Sequence, residues 1–398
     1  MSDTNNTSTL EQRERALKDG NIKVSVNSIQ RSLFVERLHI DVSAHKDLIL
    51  PYDVDNLYPN KIKSIAQRSG TTTSAIETLS SFLSGRGFKG METVVNKDGK
   101  TFWDILRFVS LSKAMFKGFA LHFNYNLLGE IIEITPINFE WVRWSKNLKT
   151  YIVNPDWKRR HRRAMEQEEY NPFNPNSVIQ EINAVGLENY KGQLYYWIPN
   201  LADYYTTCTF DPVLDDAQFE AEAKLYSLSS IQNDYSLGGI VSYPTGITDE
   251  GQIEDIKEDL QGDKGSINAG GIRVVGALPH EGLSNFKWFH PISRNNIDGL
   301  HKNQKEDAKN NIYAEFRQPP ILNGVSQNGM FNEASFADAF HYYNSATETE
   351  RDEIQRELNK IISKSIWAGL GIIKIEPKIF HLRANEGQGN QQNKIQNG

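Results

Sequence analysis

The stretch QPPILNGVSQNGMFNEASF, residues 318–336, constrains the fold most because it separates two helical patterns. Apolar residues recur at helical spacing over 299–317 and again from Phe336 onwards. Pro319 and Pro320 cannot continue a helix, and the residue before a proline is pushed out of the helical region. The sequence therefore predicts a helix, a glycine-containing loop over 318–333, and a second helical region.

The second helical region is interrupted between Thr347 and Glu353, where every residue is polar. Thr347 with Glu350, or Thr349 with Asp352, has the spacing of a capping box. We therefore expect a kink or a restart of the helix at this point.

Upstream, three helical patterns are followed by four extended ones over 58–154, which predicts an α+β unit with a small antiparallel sheet. A helix is predicted over 214–234. Strand, helix and strand signals between glycines then extend to about residue 290. A small module between two helices predicts an elongated protomer.

Composition limits the class of protein. A chain of 398 residues is long enough for two or more packed regions, and its mean hydropathy of -0.54 leaves no room for a membrane span. The polar stretch over 1–20 predicts neither a signal peptide nor an anchor. Cys208 is the one cysteine, which excludes an intramolecular disulfide and a Cys-rich metal site.

The formal net charge of -6 argues against tight, general DNA binding on the outer surface. One dense basic run departs from this balance, formed by Lys158, Arg159, Arg160, Arg162 and Arg163. It predicts either phosphate contact or a solvated or intersubunit charged surface. The second interpretation is favoured, because Glu166, Glu168 and Glu169 follow directly and partly cancel the field.

The order of these patterns resembles that of portal proteins of tailed bacteriophages over most of residues 50–380. The segments that carry the resemblance are YPNKIKSIAQRSGTTTSAIETLSSFLSGRGF, the module from GGIVSYP to INAGGIRVV, and NNIYAEFRQPPILNGVSQNGMFNEASFADAF. The last of these is the most specific.

The resemblance implies an α+β fold class and an elongated portal-type protomer that assembles as a ring. The implied parts are an N-terminal arm, partly disordered (1–50), an α/β wing (51–213) with a basic insertion (156–176), a stem helix (214–235), a small α/β clip (236–290), a return stem helix (291–317), a tunnel loop (318–333), a long kinked helix with a closing wing strand (334–380), and a tail (381–398). Because the tail is poor in apolar residues, we expect it to be disordered and the helical crown of many relatives to be minimal or absent.

The same resemblance implies a ring of typically twelve subunits at one capsid vertex, through which double-stranded DNA is packaged and ejected. The implied partners are further copies of the chain, the terminase packaging motor, the head-tail adaptor and the major capsid or scaffold protein. It implies a location in the virion after assembly in the host cytoplasm, with no membrane, cofactor or metal.

Two groups of residues are candidates for contact with the DNA. In the tunnel loop they are Asn323, Gly324, Gln327, Asn328, Gly329, Met330 and Phe331. The alternative for Phe331 is that, with Phe336, it staples the loop to the next helix. On the preceding helix they are Lys302, Lys305 and Lys309, which share one face and form a sparse cationic stripe. The alternative is a solvated face balanced by Glu306 and Asp307.

Two hydrolase motifs are missing from the sequence. It contains no HExxH and no GxSxG, and its nine histidines are scattered. Residues 99–101, GKT, resemble the end of a P-loop, but Val94 stands where the leading glycine must be.

Other candidate sites are equally weak. His280 and His290 lack a convincing third ligand for zinc, and Asp53 with Asp55 is more typical of a turn cap than of a calcium loop. We therefore expect a non-enzymatic protein. The alternative is a nucleic-acid-processing or other hydrolytic enzyme with an unrecognised site.

Overall fold

The fold is described from a computed structural model. It covers residues 49–159, 167–200, 203–232, 239–244, 272–277, 289–291, 297–323 and 333–380, all within one compact unit, Leu38–Gly398. The backbone alone is described at 159, 229–232, 239–244, 272–277, 289–291, 297–302 and 333.

The described residues form eight α-helices. They are α1 (Tyr58–Arg68), α2 (Gly70–Ser84), α3 (Phe102–Phe116), α4 (Val178–Val185), α5 (Leu214–Gln232), α6 (Ile297–Glu315), α7 (Glu333–Ala346) and α8 (Glu348–Ile362). α2 lies at the centre of this helical layer, because it packs against α1, α3, α6 and α8. Its buried face includes Ala75, Ile76, Leu79 and Leu83, which are at most 4% exposed. This spacing is that of a helix with one apolar face.

The first three helices begin at the signals that the sequence provides. Pro59 lies in the first turn of α1, where its missing N–H costs nothing. Ser69 caps α2 by accepting a hydrogen bond from the backbone N of Thr72 (3.2 Å). Thr101 and Asp104 form a reciprocal capping box at the start of α3.

A six-stranded sheet packs on these helices. The strands are β1 (Phe119–Tyr125), β2 (Ile131–Ile137), β3 (Val142–Trp144), β4 (Tyr151–Val153), β5 (Glu168–Pro172) and β6 (Gln193–Trp197), in the order β2-β1-β6-β5-β4-β3. All neighbouring pairs are antiparallel except β5 with β6, which is parallel. In register, His122 lies opposite both Thr135 and Leu194, so β1 is an inner strand. The mixed α+β class predicted from the sequence agrees with this arrangement.

β5 lies within the segment 156–176 that the sequence predicts to be a basic insertion. Glu168–Pro172 pairs with β4 on one side and with β6 on the other, so this part of the segment belongs to the sheet. The sequence hides the strand because its side chains are exposed or half-buried and two are glutamates. A strand of this kind is held by its backbone hydrogen bonds and leaves no apolar alternation to read.

Between α5 and α6 in the chain lie three further strands, β7 (Gly239–Pro244), β8 (Ile272–Ala277) and β9 (Phe289–Pro291). They form one sheet in the order β8-β7-β9, with β7 parallel to β8 and antiparallel to β9. The strand signals of the predicted small module therefore correspond to real strands. The helix predicted between them lies outside the described residues.

The long helical region after the loop is broken where the sequence predicts. α7 ends at Ala346 and α8 starts at Glu348, with Thr347 between them. The expected capping box does not form. Instead, the Thr347 hydroxyl donates to the carbonyl oxygens of Tyr343 (2.8 Å) and Asn344 (3.3 Å), which satisfies the end of α7 rather than the start of α8.

The resemblance implies a closing wing strand within 334–380, but none of the described strands lies there, including over 371–380. The segment instead makes two backbone hydrogen bonds beyond the end of α2, from Arg86 N to Glu376 O (2.8 Å) and from Glu376 N to Gly87 O (2.9 Å). Gly85 permits this approach, because a Cβ there would lie 2.1 Å from Glu376 O and its φ is 55°. The Lys378 amine also contacts the Ser81 hydroxyl.

Several predicted parts lie outside the described residues. They are the arm up to residue 48, most of the basic run, the loop residues 324–332, and the tail over 381–398.

Candidate functional site

The start of α5 and the end of α6 are in contact with each other. Phe210, just before α5, stacks on Phe316, just after α6, with ring centroids 6.4 Å apart. Near the same end, the Asn311 amide donates to the carboxylate of Asp216 (3.2 Å). The start of α5 thus lies beside the end of α6, and the two helices run in opposite directions.

Glu220 anchors α5 to the N-terminus of α2. Its carboxylate accepts hydrogen bonds from the hydroxyl of Ser69 and from the backbone N of Thr71 (3.2 Å), and it pairs with Lys224 (3.1 Å). Burial raises the pKa of this carboxyl, but the hydrogen bonds from Ser69 and Lys224 outweigh burial and leave the pKa below its usual value. A carboxylate at a helix N-terminus is also favoured by the helix dipole.

The lysines predicted to form a stripe continue one face of α6 towards this base. Lys305 is exposed and Lys309 half-buried. The Lys309 amine lies 6.0 Å from the ring centroid of Tyr313, four residues further along the same face. Glu306 and Asp307, the residues of the alternative interpretation, are exposed like Lys305. The backbone alone is described at Lys302.

The structure places Asn323 differently from the rest of the predicted loop. It ends a 3-10 helix, Pro320–Asn323, which lies against α2. Its side-chain oxygen accepts hydrogen bonds from Ser74 (3.2 Å), Thr78 (3.1 Å) and Gln318 (2.8 Å). Asn323 is therefore part of the helical scaffold rather than of a solvated loop. The other predicted loop residues, from Gly324 to Phe331, lie outside the described ranges.

The end of α6 is also tied to the start of α8. Arg317 adopts a left-handed conformation with φ 51°, and its guanidinium pairs with Glu350 (2.8 Å). The backbone N of Gln318 bonds to the carbonyl of Tyr313 (2.9 Å), which closes the helix before the two prolines. The predicted helix end is thus correct within three residues.

Of the predicted basic run, the described part is its beginning. Lys158 is exposed and lies in a 3-10 helix, Trp157–Arg159, that is held by the buried Trp157. Arg160, Arg162 and Arg163 lie outside the described residues, and only the backbone is described at Arg159. The run is not brought next to Lys305 or Lys309 by any described contact.

The weak catalytic candidates serve structural roles where they are described. Thr101 of the GKT segment caps α3, and the Asp55 carboxylate accepts the backbone N–H of Leu57 (3.0 Å). Burial raises the pKa of the Cys208 thiol to about 12, so it is not a thiolate nucleophile at neutral pH. Within the described ranges, no three His, Cys, Asp or Glu side chains are grouped closely enough to hold a metal ion.

Several buried charged residues were not identified from the sequence, and two of them show why. One is Glu220, which falls between Ala217 and Ala221 on the apolar face of α5; a carboxylate inside an apolar stripe is the signal that could have found it. The other is Arg143, fully buried on β3, whose guanidinium bonds to the side-chain oxygen of Asn56 (2.6 Å) and lies 5.2 Å from the Tyr52 ring. Burial lowers the pKa of this guanidinium.

No helix in the part of the chain that the structure describes combines the length and the hydropathy needed to cross a bilayer.

No family model and no curated protein matches the chain. Solved structures similar to it include a chain of the virion of a native gene transfer agent particle, with 12% identity, a TM-score of 0.49, and coverage of 80% of this chain and 83% of that one. A chain in the neck of the native particle, computed with C12 symmetry, has 11% identity, a TM-score of 0.48, and coverage of 82% and 86%. An HK97-family phage portal protein from Corynebacterium diphtheriae has 12% identity, a TM-score of 0.39, and coverage of 79% and 95%. A phage portal protein is thus among the solved structures that this chain resembles.

Proposed function

We propose that this chain is the subunit of a phage portal, a ring at one capsid vertex through which double-stranded DNA is packaged and ejected. The observation that carries the proposal is the arrangement of α5 and α6. Two helices of 19 residues each are rooted side by side in the helical layer and are joined through the small sheet β7–β9. In this proposal they form the stem, the small sheet belongs to the clip, and the helical layer with the six-stranded sheet forms the wing.

The charge of α6 suits a channel through which DNA slides. Each tightly held phosphate would be a barrier to movement, so a conduit needs contacts that are few and weak. Lys305 and Lys309 are an exposed and a half-buried cation, in a chain of net charge -6. In this proposal, they face the duplex and touch phosphates transiently.

Ring closure requires two different complementary surfaces on each subunit. We assign this role to the long helices and to the wing, with a ring of twelve copies. The packaging motor, the head-tail adaptor and the capsid or scaffold protein are the proposed partners, and ATP hydrolysis belongs to the motor. The proposed location is the virion, after assembly in the host cytoplasm.

The DNA-facing role of the lysines is tested by the salt dependence of DNA binding to purified rings. The variant carries Lys305→Ala and Lys309→Ala, and the matched control is Lys364→Ala, which removes an exposed lysine beyond the end of α8. The logarithmic salt slope is expected to fall by about 0.9 for each phosphate that the variant no longer neutralises, and to stay unchanged in the control. A double variant with the wild-type slope would contradict the assignment.

A further inference from the structure

The side chain of Asn323 joins two segments that are far apart in the sequence. Its oxygen accepts hydrogen bonds from Ser74 and Thr78, which are 249 and 245 residues away, and from Gln318. Ser74 and Thr78 are one helical turn apart on α2 and therefore face the same way. Three donors thus converge on a single acceptor inside the predicted loop, at the last residue described before position 324.

Tyr313 links this cluster to the cationic face of α6. The Lys309 amine lies 6.0 Å from its ring centroid, and burial raises the pKa of its hydroxyl while the Asn323 side chain opposes that rise. The buried amide nitrogen of Asn323 makes no hydrogen bond with a described residue. The three hydrogen bonds from Ser74, Thr78 and Gln318 are all accepted by the side-chain oxygen.

We propose that Asn323 is a positioning residue that fixes the root of the tunnel loop to α2, and we name the cluster Ser74, Thr78, Gln318 and Asn323 the loop latch. The inference rests on the proposed portal function. A duplex moving along the channel pulls on the loop, and a fixed root confines the displacement to residues after Asn323. Asn323 itself then does not contact DNA, in contrast to the expectation from the sequence.

The geometry predicts an unusual pattern of substitutions. Asn323→Asp keeps the oxygen that accepts the three bonds, and its second oxygen replaces an amide nitrogen that has no partner among the described residues. Asn323→Leu keeps the size of the side chain and removes every acceptor. The aspartate should therefore preserve the loop latch and the leucine should abolish it.

Hydrogen exchange on the full-length protein tests the loop latch directly. In Asn323→Leu, the backbone amides of Gln318, Ile321, Leu322 and residue 323 should exchange on the order of tenfold faster than in the wild type, because three hydrogen bonds are removed. Asn323→Asp should remain close to the wild type. Ser74→Ala with Thr78→Val should reproduce part of the leucine effect, and adding Asn323→Leu to that pair should add little, since both act on the same bonds. Ser80→Ala, on the same helix outside the loop latch, is the matched control.

Equal exchange in the leucine and aspartate variants, whether both fast or both slow, would overturn the loop latch. This readout needs neither a ring nor DNA, so it is separate from the test of the portal proposal.

A second experiment tests the function of the loop latch by measuring the release of linear double-stranded DNA of mixed sequence from rings of the variant. Asn323→Leu should release DNA faster with an unchanged salt slope, because the lysine contacts remain. Release at the wild-type rate from intact Asn323→Leu rings would overturn the positioning role.

Discussion

Removing the carboxylate of Glu220 should detach α5 from α2 and weaken the whole unit. The carboxylate receives two hydrogen bonds, from the Ser69 hydroxyl and the Thr71 backbone N, and is 10% exposed in its ion pair with Lys224. Hydrogen bonds to a charged group contribute about 1.5–3 kcal/mol each, and the 3.2 Å bond lies at the low end of that range. The half-exposed Lys224 contributes little. We expect Glu220→Ala to lower the free energy of unfolding by about 3 kcal/mol.

The assay is thermal or denaturant unfolding at pH 7. With an unfolding entropy of about 2 cal/mol/K per residue, a unit of this size shifts by about 1.3 °C per kcal/mol, so the midpoint of Glu220→Ala should fall by about 4 °C. Glu222→Ala is the matched control on the same helix, because its partner Arg68 is 45% exposed and Glu222 itself 37% exposed. The control should cost at most about 0.5 kcal/mol.

The pH dependence of the free energy of unfolding, measured for a third variant, Glu220→Gln, tests whether the ionised carboxylate of Glu220 is the source of this stability. The pKa of Glu220 is lower in the folded protein than its ordinary value of 4.5. Its contribution is therefore fully present above pH 4.5 and is lost as the pH falls through the folded pKa. The difference between Glu220→Gln and the wild type should be largest at neutral pH and shrink in acid. If Glu220→Ala unfolds at the same midpoint as Glu222→Ala, the anchor does not exist.

Two further predictions concern buried titratable groups. Lys113 is 6% exposed, pairs with Glu353 and lies 4.3 Å from the centroid of the Trp197 ring. Lys113→Met should lower the free energy of unfolding by about 2 kcal/mol, which is less than for a fully buried pair because Glu353 is 30% exposed. Denaturant unfolding measures this loss, and a loss under about 0.5 kcal/mol would refute the prediction. Burial lowers the pKa of His122, whose Nε2 donates to the carbonyl of Lys191 (2.7 Å), so the neutral ring is favoured in the fold and stability should fall as the pH drops below 6.5. In His122→Gln, the free energy of unfolding should fall less as the pH drops below 6.5. If the variant and the wild type lose stability equally, His122 is not the group responsible.

The sequence was most informative where local chemistry decides the structure. Pro319 and Pro320 mark the end of α6 because a proline cannot continue a helix, and the polar run after Thr347 marks the break between α7 and α8. Ser69 and Thr101 also act within their own helices, although their capping role was not predicted from the sequence. Features of this kind depend on neighbours a few residues away, so periodicity and capping rules find them.

The remainder depends on partners distant in the chain. Glu220 meets Ser69 across 151 residues, and Asn323 meets Ser74 across 249. No periodic pattern encodes such a bond. The Asn-Gly pair at 323–324 is typical of a turn, so the sequence predicted a loop residue at Asn323. β5 was hidden for a different reason, since Glu168–Pro172 is held by backbone pairing and shows no apolar alternation.

The central claim is that the chain closes into a ring around a channel. Size-exclusion chromatography with light scattering, followed by electron microscopy of the purified full-length protein, measures this directly. We expect closed rings with an axial hole and a mass that is a whole multiple of 45.3 kDa. A compact 45.3 kDa monomer with nuclease activity that depends on a divalent metal would contradict the portal function.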